Sequence, residues 1–482
     1  MLYTWITFGI VALSTILAVC FRKKIGDKAF WIILKVLAVA YFTLGIVRCF
    51  LNDSFIWVIN GGTYGGVYYK DSDVLQSLLR WGLYLGYVVY PCAVFFKSRV
   101  LKNIAIYFCL PVAIVSCIFY NDFLRYFLVN SGRAFMTAEW FRHIEFMTEL
   151  VIAMIIPLLL RFCIGHRFNV KDKAEWKNFV ICLPLTLLVC VPVTLPQSLF
   201  GFTGLFMVPF SFYNILWVVI IFAIFISLYF AFRFKDKETR YTLCIFLSLL
   251  LFLHYNSIYL MDLKMSRLPF QLCNLGAYLV LLGLLIRNQG FFNFILLANV
   301  PGAMIAFCVP DVKEGMLSYW NIHFYIEHTW VFIIPLLAVA LRIMGRPTKA
   351  GFKHFFVGFV GYFVFCAVIG IIFNCYLYVP YDPFFDKINY FYLFNTTVLS
   401  ILPFLGFTRK LPVTLNGYTF YPLYMLMIFV LYSIFCMIFW YVYIQLYKVA
   451  DDHFRLRAIR IDYNIERNKY KDGKVPQKIY YD

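Results

Sequence analysis

The chain is poor in charge. Of its 482 residues only 14% are Asp, Glu, Lys or Arg, against roughly 25% in an ordinary soluble domain, and this shortfall excludes a water-soluble globular fold. Acidic residues are scarcer than basic ones, 24 against 43. Period-two alternation of apolar and polar residues is lacking, which excludes a transmembrane barrel. The fourteen cysteines form no CxxC pair and no Cys/His set at zinc-ligand spacing, so neither a metal nor a cofactor is expected. Most of them read as small apolar packing residues.

What is present is hydrocarbon. Hydrophobic residues make up 63% and aromatic residues 21%, and the mean hydropathy is +0.79. Apolar runs near twenty residues recur from end to end, each long enough to cross a hydrocarbon core of about 30 Å as a helix. Backbone polar groups in lipid must be satisfied within the segment, so helices are expected throughout. The spans fall near 2–21, 29–50, 77–96, 103–120, 141–162, 177–197, 211–232, 241–262, 268–286, 292–309, 321–342, 355–378 and 417–447. The expected fold is an all-α polytopic membrane protein with about thirteen transmembrane helices.

The net charge of +19 does not point to nucleic acid, because the basic residues crowd into alternate short loops: 22–28, 97–102, 161–177, 233–240, around Arg287, and 342–349. Loops 52–76 and 310–320, on the other side, are neutral or acidic. Positive loops face the cytoplasm, so the N-terminus is expected outside the cell membrane and the C-terminus inside. Residues 2–21 have no basic residue before them and RKK after them. That is the reverse of a secretory signal, so an uncleaved span is expected. The tail from Lys448 reads as a short amphipathic or disordered cytoplasmic segment beside anionic lipid.

One unit reads as written twice. Residues 97–119 lie on 287–309 at an offset of 190, aligning Asn103 with Asn293 and Pro111 with Pro301. Residues 140–162 lie on 319–342 at an offset of 178, aligning Pro157 with Pro335, and 177–193 lie beside 353–369. The expected division is an N-terminal helix (1–28), a first six-helix repeat (29–235), a second (236–447) and a basic tail (448–482). Two copies in one membrane orientation form a parallel duplication, as in some transporters.

Chemistry concentrates in the second copy. Cys273 lies about five residues into its span and His328 about seven into its own, depths of roughly 8 and 10 Å at 1.5 Å per residue. Both spans enter from outside, so the two side chains can meet if their helices pack side by side. An imidazole beside a thiol can generate a thiolate nucleophile, and at this depth it would face the ester level of the outer leaflet. The first copy carries Leu83 and Leu150 at these two positions. Gln271 and His254 share the outer half as supporting polar groups. Glu327 adjoins His328 on a different helical face, and its counterpart Glu149 suggests a structural hydrogen bond. His323, nearer the surface, is read as solvated.

The motifs LPFQLCNLGAYLV (268–280), NFILLANVPGAMIAFCVPD (293–311), FYIEHTWVFIIP (324–335) and INYFYLFNTTVLSILPFLG (388–406) together resemble the YwaF-like integral membrane family, which includes transmembrane protein 164-like acyltransferases. The resemblance covers roughly residues 240–447. It implies a phospholipid acyltransferase in which Cys273 accepts the acyl chain and His328 is its base, with Asn389 and Tyr390 as motif residues near the outer mouth. Gln271 departs from the family pattern, standing where many relatives have His. The reading is therefore a membrane lipid acyltransferase or acyl hydrolase whose partners are membrane lipids. The alternatives from other classes are a parallel 6+6 transporter and a non-catalytic scaffold. Oligomeric state is left open.

Overall fold

The computed structural model describes residues 1–51, 74–121, 139–193, 195–201, 204–260, 264–310, 315–380, 382, 384–396 and 398–472. The expected loop at 52–76 lies almost wholly outside them, as do residues 473–482 of the tail. Thirteen long helices are described: α1 (Leu2–Ile25), α2 (Asp27–Leu51), α3 (Val74–Phe95), α4 (Arg99–Ile118), α5 (Glu139–Phe162), α6 (Lys173–Val189), α7 (Phe212–Phe232), α8 (Lys237–Asn256), α9 (Leu272–Ile286), α10 (Gln289–Cys308), α11 (Tyr319–Ala340), α12 (Gly351–Ile372) and α13 (Pro422–Asp472). The protein is an all-α, multi-pass membrane protein.

The expected thirteen spans need one adjustment. Eleven of these helices are long and apolar enough to cross a membrane, whereas α6 has 17 residues and α9 only 15. Fifteen residues rise about 22 Å, short of a 30 Å hydrocarbon core. The stretch ahead of α9 approaches in extended and 3₁₀ form instead. Residues 448–472, expected as an amphipathic or disordered segment, continue α13 as helix to Asp472. Arg346 holds its extension with Nε 3.0 Å from Asp451 Oδ2.

Local chemistry sets the helix boundaries. Ser98, Asp172, Ser211, Asp236, Asn288 and Ser318 cap the starts of α4, α6, α7, α8, α10 and α11 through side-chain oxygens, each satisfying an orphan N–H. Prolines within spans free carbonyls four residues back, and in lipid these need a partner. Tyr90 Oη donates to Ala153 O at 2.8 Å, the carbonyl freed by Pro157. Cys436 Sγ lies 3.3 Å from Leu297 O, the carbonyl freed by Pro301, and Tyr432 Oη donates to Ala298 O at 2.6 Å. Outward faces of α1, α7 and α12 expose Leu13, Val219 and Val357, as lipid-facing surfaces do.

Helix neighbours recur in the two halves. The contacts α1·α5, α2·α3, α2·α5, α3·α4, α4·α5 and α4·α6 are matched by α7·α11, α8·α9, α8·α11, α9·α10, α10·α11 and α10·α12. At the end of α4 that follows the basic loop, Glu175 is buried and accepts from Arg99 at 2.8 Å, Asn103 at 2.7 Å and the Asn169 N–H at 3.0 Å. The Arg99 guanidinium first, and then these donors, hold its carboxyl down at about 2. His166 donates Nε2–H to Asn103 Oδ1 at 2.7 Å. Burial first, then Lys102, Arg99 and Arg161, push its imidazole down to about 4, with Glu175 opposing.

Both groups make the fold acid-sensitive. The unfolded chain protonates His166 near 6.5, whereas the folded chain resists until about 4, so stability is lost as pH falls across that interval. The Glu175 contribution is present above its ordinary value and lost as pH falls towards 2. Thermal unfolding of purified His166→Gln, which keeps a donor for Asn103, should fall less between pH 7 and 4.5 than wild type. An unchanged acid slope would remove His166 from the account.

Candidate functional site

The residues ahead of α9 are pinned from two sides. Met265 N–H donates to Phe384 O at 3.1 Å and Ser266 N–H to Asp386 Oδ1 at 2.9 Å, while the Tyr390 hydroxyl donates to Met265 O. Tyr362 Oη donates to Phe270 O at 2.9 Å. Gln271 is the N-cap residue, yet its Oε1 accepts from Phe391 N at 2.6 Å rather than capping α9. It therefore ties the helix start to the loop.

That loop is built by the two motif residues. Asn389 Oδ1 accepts from the N–H groups of Phe394 and Asn395 at 2.9 and 2.8 Å, and Tyr390 is buried. Phe391 and Tyr392 take φ of 54° and 57°, a left-handed conformation that costs non-glycine residues of order 1–3 kcal/mol each. The surrounding hydrogen bonds hold them there. Asn389 and Tyr390 are thus structural members of a loop that fixes where α9 begins.

Cys273 is the second residue of α9. The first helical bond runs from Leu275 N to Gln271 O at 2.8 Å, so the N–H groups of Leu272, Cys273 and Asn274 have no intrahelical acceptor. The helix dipole adds partial positive charge at the same place. Cys273 is half-buried, whereas ten of the other thirteen cysteines are fully buried, Cys244 and Cys436 among them.

Three helices meet one turn deeper, at Gly276. A Cβ added there would lie 2.6 Å from Asn299 Nδ2 of α10 and 3.2 Å from Val331 Cγ1 of α11. One turn outward, the corresponding residues are Cys273 on α9, Gly302 on α10 and His328 on α11, since residues three apart share a helix face. Gly302 lets side chains approach α10 closely beside the thiol: a Cβ on it would lie 3.7 Å from Cys273 Sγ and 2.9 Å from Tyr432 Oη.

His328 is buried and its Nδ1 lies 2.6 Å from Phe324 O. A carbonyl can only accept, so Nδ1 carries the proton and neutral His328 keeps its lone pair on Nε2, the form a general base requires. His323 is buried too, at 3% exposure. This corrects the expectation that it is solvated: α8 packs across it. His254 Nε2–H donates to His323 O at 3.3 Å and His323 Nε2–H to Tyr255 O at 3.2 Å, with the rings stacked at 5.1 Å. This reciprocal clamp joins α8 to α11, so His254 supports the site from behind it. His323 Nδ1 faces Glu327 Oε2 at 3.7 Å.

Two buried groups at this junction lack partners among the described residues. Glu327 Oε1 has none, and neither amide atom of Asn299 has one, although Asn299 is 0% exposed. Sequence reasoning passed over Asn299 and Gly302, although both stand within ANVPG. A mid-span amide and a glycine three residues on were the available signals. At the aligned positions of the first half stand Leu83, Gly86, Cys109, Val112, Glu149 and Leu150. Val112 fills the space against Gly82, and Glu149 accepts from Tyr87 Oη at 2.7 Å. That half is packed and satisfied where the second is small-residued and polar.

Residues 202–444, just over half of the chain, match the family model described as TMEM164 family. No curated protein and no solved structure matches the chain.

Proposed function

The chain belongs to the TMEM164 family, and from that membership and the α9–α10–α11 junction we propose that it is a lipid acyltransferase or acyl hydrolase acting through a Cys273 thioester at the outer leaflet. The observation that carries this reading is the half-buried thiol in the first turn of α9, where α10 presents only Gly302 to it. His328 stands at the same level on the adjoining helix. His328 Nε2 takes the thiol proton as Sγ bonds to the ester carbonyl carbon and the carbonyl pair moves onto oxygen. The intermediate collapses, the ester C–O bond breaks, and the glycerol oxygen leaves with the proton from His328. An acceptor hydroxyl or water then attacks the thioester with the same base, releasing the thiol.

Orientation follows from loop charge, which places the start of α9 on the external side with the N-terminus outside and the C-terminus in the cytoplasm. We also read the chain as two tandem units, of which only the second bears the site. The recurring helix neighbours pair α1–α6 with α7–α12 and favour drawing the boundary ahead of α7.

The test is trapping. Full-length protein in phosphatidylcholine vesicles carrying an alkyne-tagged acyl chain should take up label that hydroxylamine removes, and Cys273→Ala should take up none. Wild type without hydroxylamine-sensitive label, or equal labelling of Cys273→Ala, would sink the proposal.

A further inference from the structure

An apolar interior does not tolerate an idle amide. Asn299 is completely buried, and neither its Nδ2 nor its Oδ1 has a partner among the described residues. Leaving a buried polar group unpaired is destabilising, and leucine, of similar size, would carry no such penalty. The amide is also well placed. It lies against Gly276, in the turn beneath Cys273, on the same face of α10 as Gly302. Gly276 has no Cβ to stand against the amide, and Gly302 has none to stand against the thiol. The neighbouring hydroxyl of Tyr432 is already committed to Ala298 O.

We propose that the Asn299 carboxamide donates a hydrogen bond to the carbonyl oxygen of the acyl group as Cys273 Sγ attacks it, together with the free N–H groups of the first turn of α9. This rests on the Cys273 reading above and adds a catalytic residue to it. When Sγ bonds to the carbonyl carbon, the π pair moves to oxygen, and the thiol proton passes to His328. The oxygen then carries a full negative charge with no water around it. A side-chain amide fixed beforehand stabilises that charge without reorganising. In the resting enzyme the amide is unpaired because its partner exists only with substrate bound.

Acylation needs an oxyanion, whereas alkylation of the same thiol by iodoacetamide, in which Sγ bonds to the methylene carbon as iodide leaves, does not, and this separates the role from packing. Full-length wild type, Asn299→Leu and Asn299→Ala are compared in the tagged phosphatidylcholine vesicles for thioester formation, iodoacetamide labelling of Cys273 and thermal unfolding. Thioester formation should fall about 10²–10³-fold in both variants, the usual effect of losing one such donor. Iodoacetamide labelling should stay within about twofold, and Asn299→Leu should unfold at or above the wild-type temperature. Thioester formation at the wild-type rate in either variant overturns the proposal, as does a parallel fall in acylation and alkylation, which marks a packing role. Wild type that takes up no label overturns this proposal and the Cys273 reading together.

Discussion

His328→Gln is expected to form the acyl-thioester about 10²–10⁴-fold more slowly than wild type, the range for losing a positioned general base, while the protein still folds. The side chain is buried and bonded through Nδ1 to the Phe324 carbonyl. Glutamine can donate to that carbonyl, so the local structure survives while the Nε2 lone pair is lost. The residual rate should climb with pH, because hydroxide replaces the imidazole in deprotonating Cys273. Rates measured between pH 6.5 and 9 in the tagged vesicles read both effects. A variant as fast as wild type, with the wild-type pH profile, removes His328 from the mechanism and leaves Glu327 as the nearest alternative base.

The comparison with His323 shows why depth alone is a poor guide in a bundle. Both histidines lie on α11 and were told apart by residue count from the start of the span. Burial in fact depends on which helix lies opposite. His323 faces α8 and is locked to the Tyr255 carbonyl, while one turn further Glu327 and His328 flank the direction of Val331, which meets α9 at Gly276. Hydropathy places spans because lipid imposes one rule on every segment. It says nothing about which face meets which neighbour.

The same limit governs the start of α9. The run beginning at Leu268 is apolar, so its hydropathy opens a span there. The helix begins instead at Leu272, because the backbone before it is bonded to Phe384, Asp386, Tyr390 and Tyr362. These partners lie some 90 to 125 residues later in the chain. One local signal was legible and overlooked: Asn416–Gly417, with φ of 47° and 78°, turns the short hairpin of Val413–Leu415 and Tyr418–Phe420, as an Asn-Gly pair does. The last span therefore starts at Pro422 rather than at Gly417. The Cys/His positions were readable because rare polar residues in apolar spans stand out. Asn299 was equally rare, but its importance emerges only from finding both of its amide atoms unpaired.

Gly302→Val should abolish thioester formation, and the reason separates space from chemistry. The first half carries Val112 at this position, so the substitution rebuilds the filled junction inside the second. A Cβ at 302 would stand 2.9 Å from Tyr432 Oη and 3.7 Å from Cys273 Sγ. Alanine therefore strains only the tyrosine, which must shift from Ala298 O, whereas the methyls of valine also crowd the thiol. Overpacking of this kind costs about 1–3 kcal/mol, which by itself could mimic a loss of function. Gly302→Ala combined with Tyr432→Phe removes the clash and adds little bulk beside the thiol. That double variant should keep thioester formation within about tenfold of wild type, while Gly302→Val combined with Tyr432→Phe should remain unlabelled. If both double variants label alike, the space beside Sγ is not where the acyl carbonyl sits. If neither labels, the Tyr432 hydroxyl and the Ala298 carbonyl it holds, rather than the empty position at Gly302, set the geometry of the thiol.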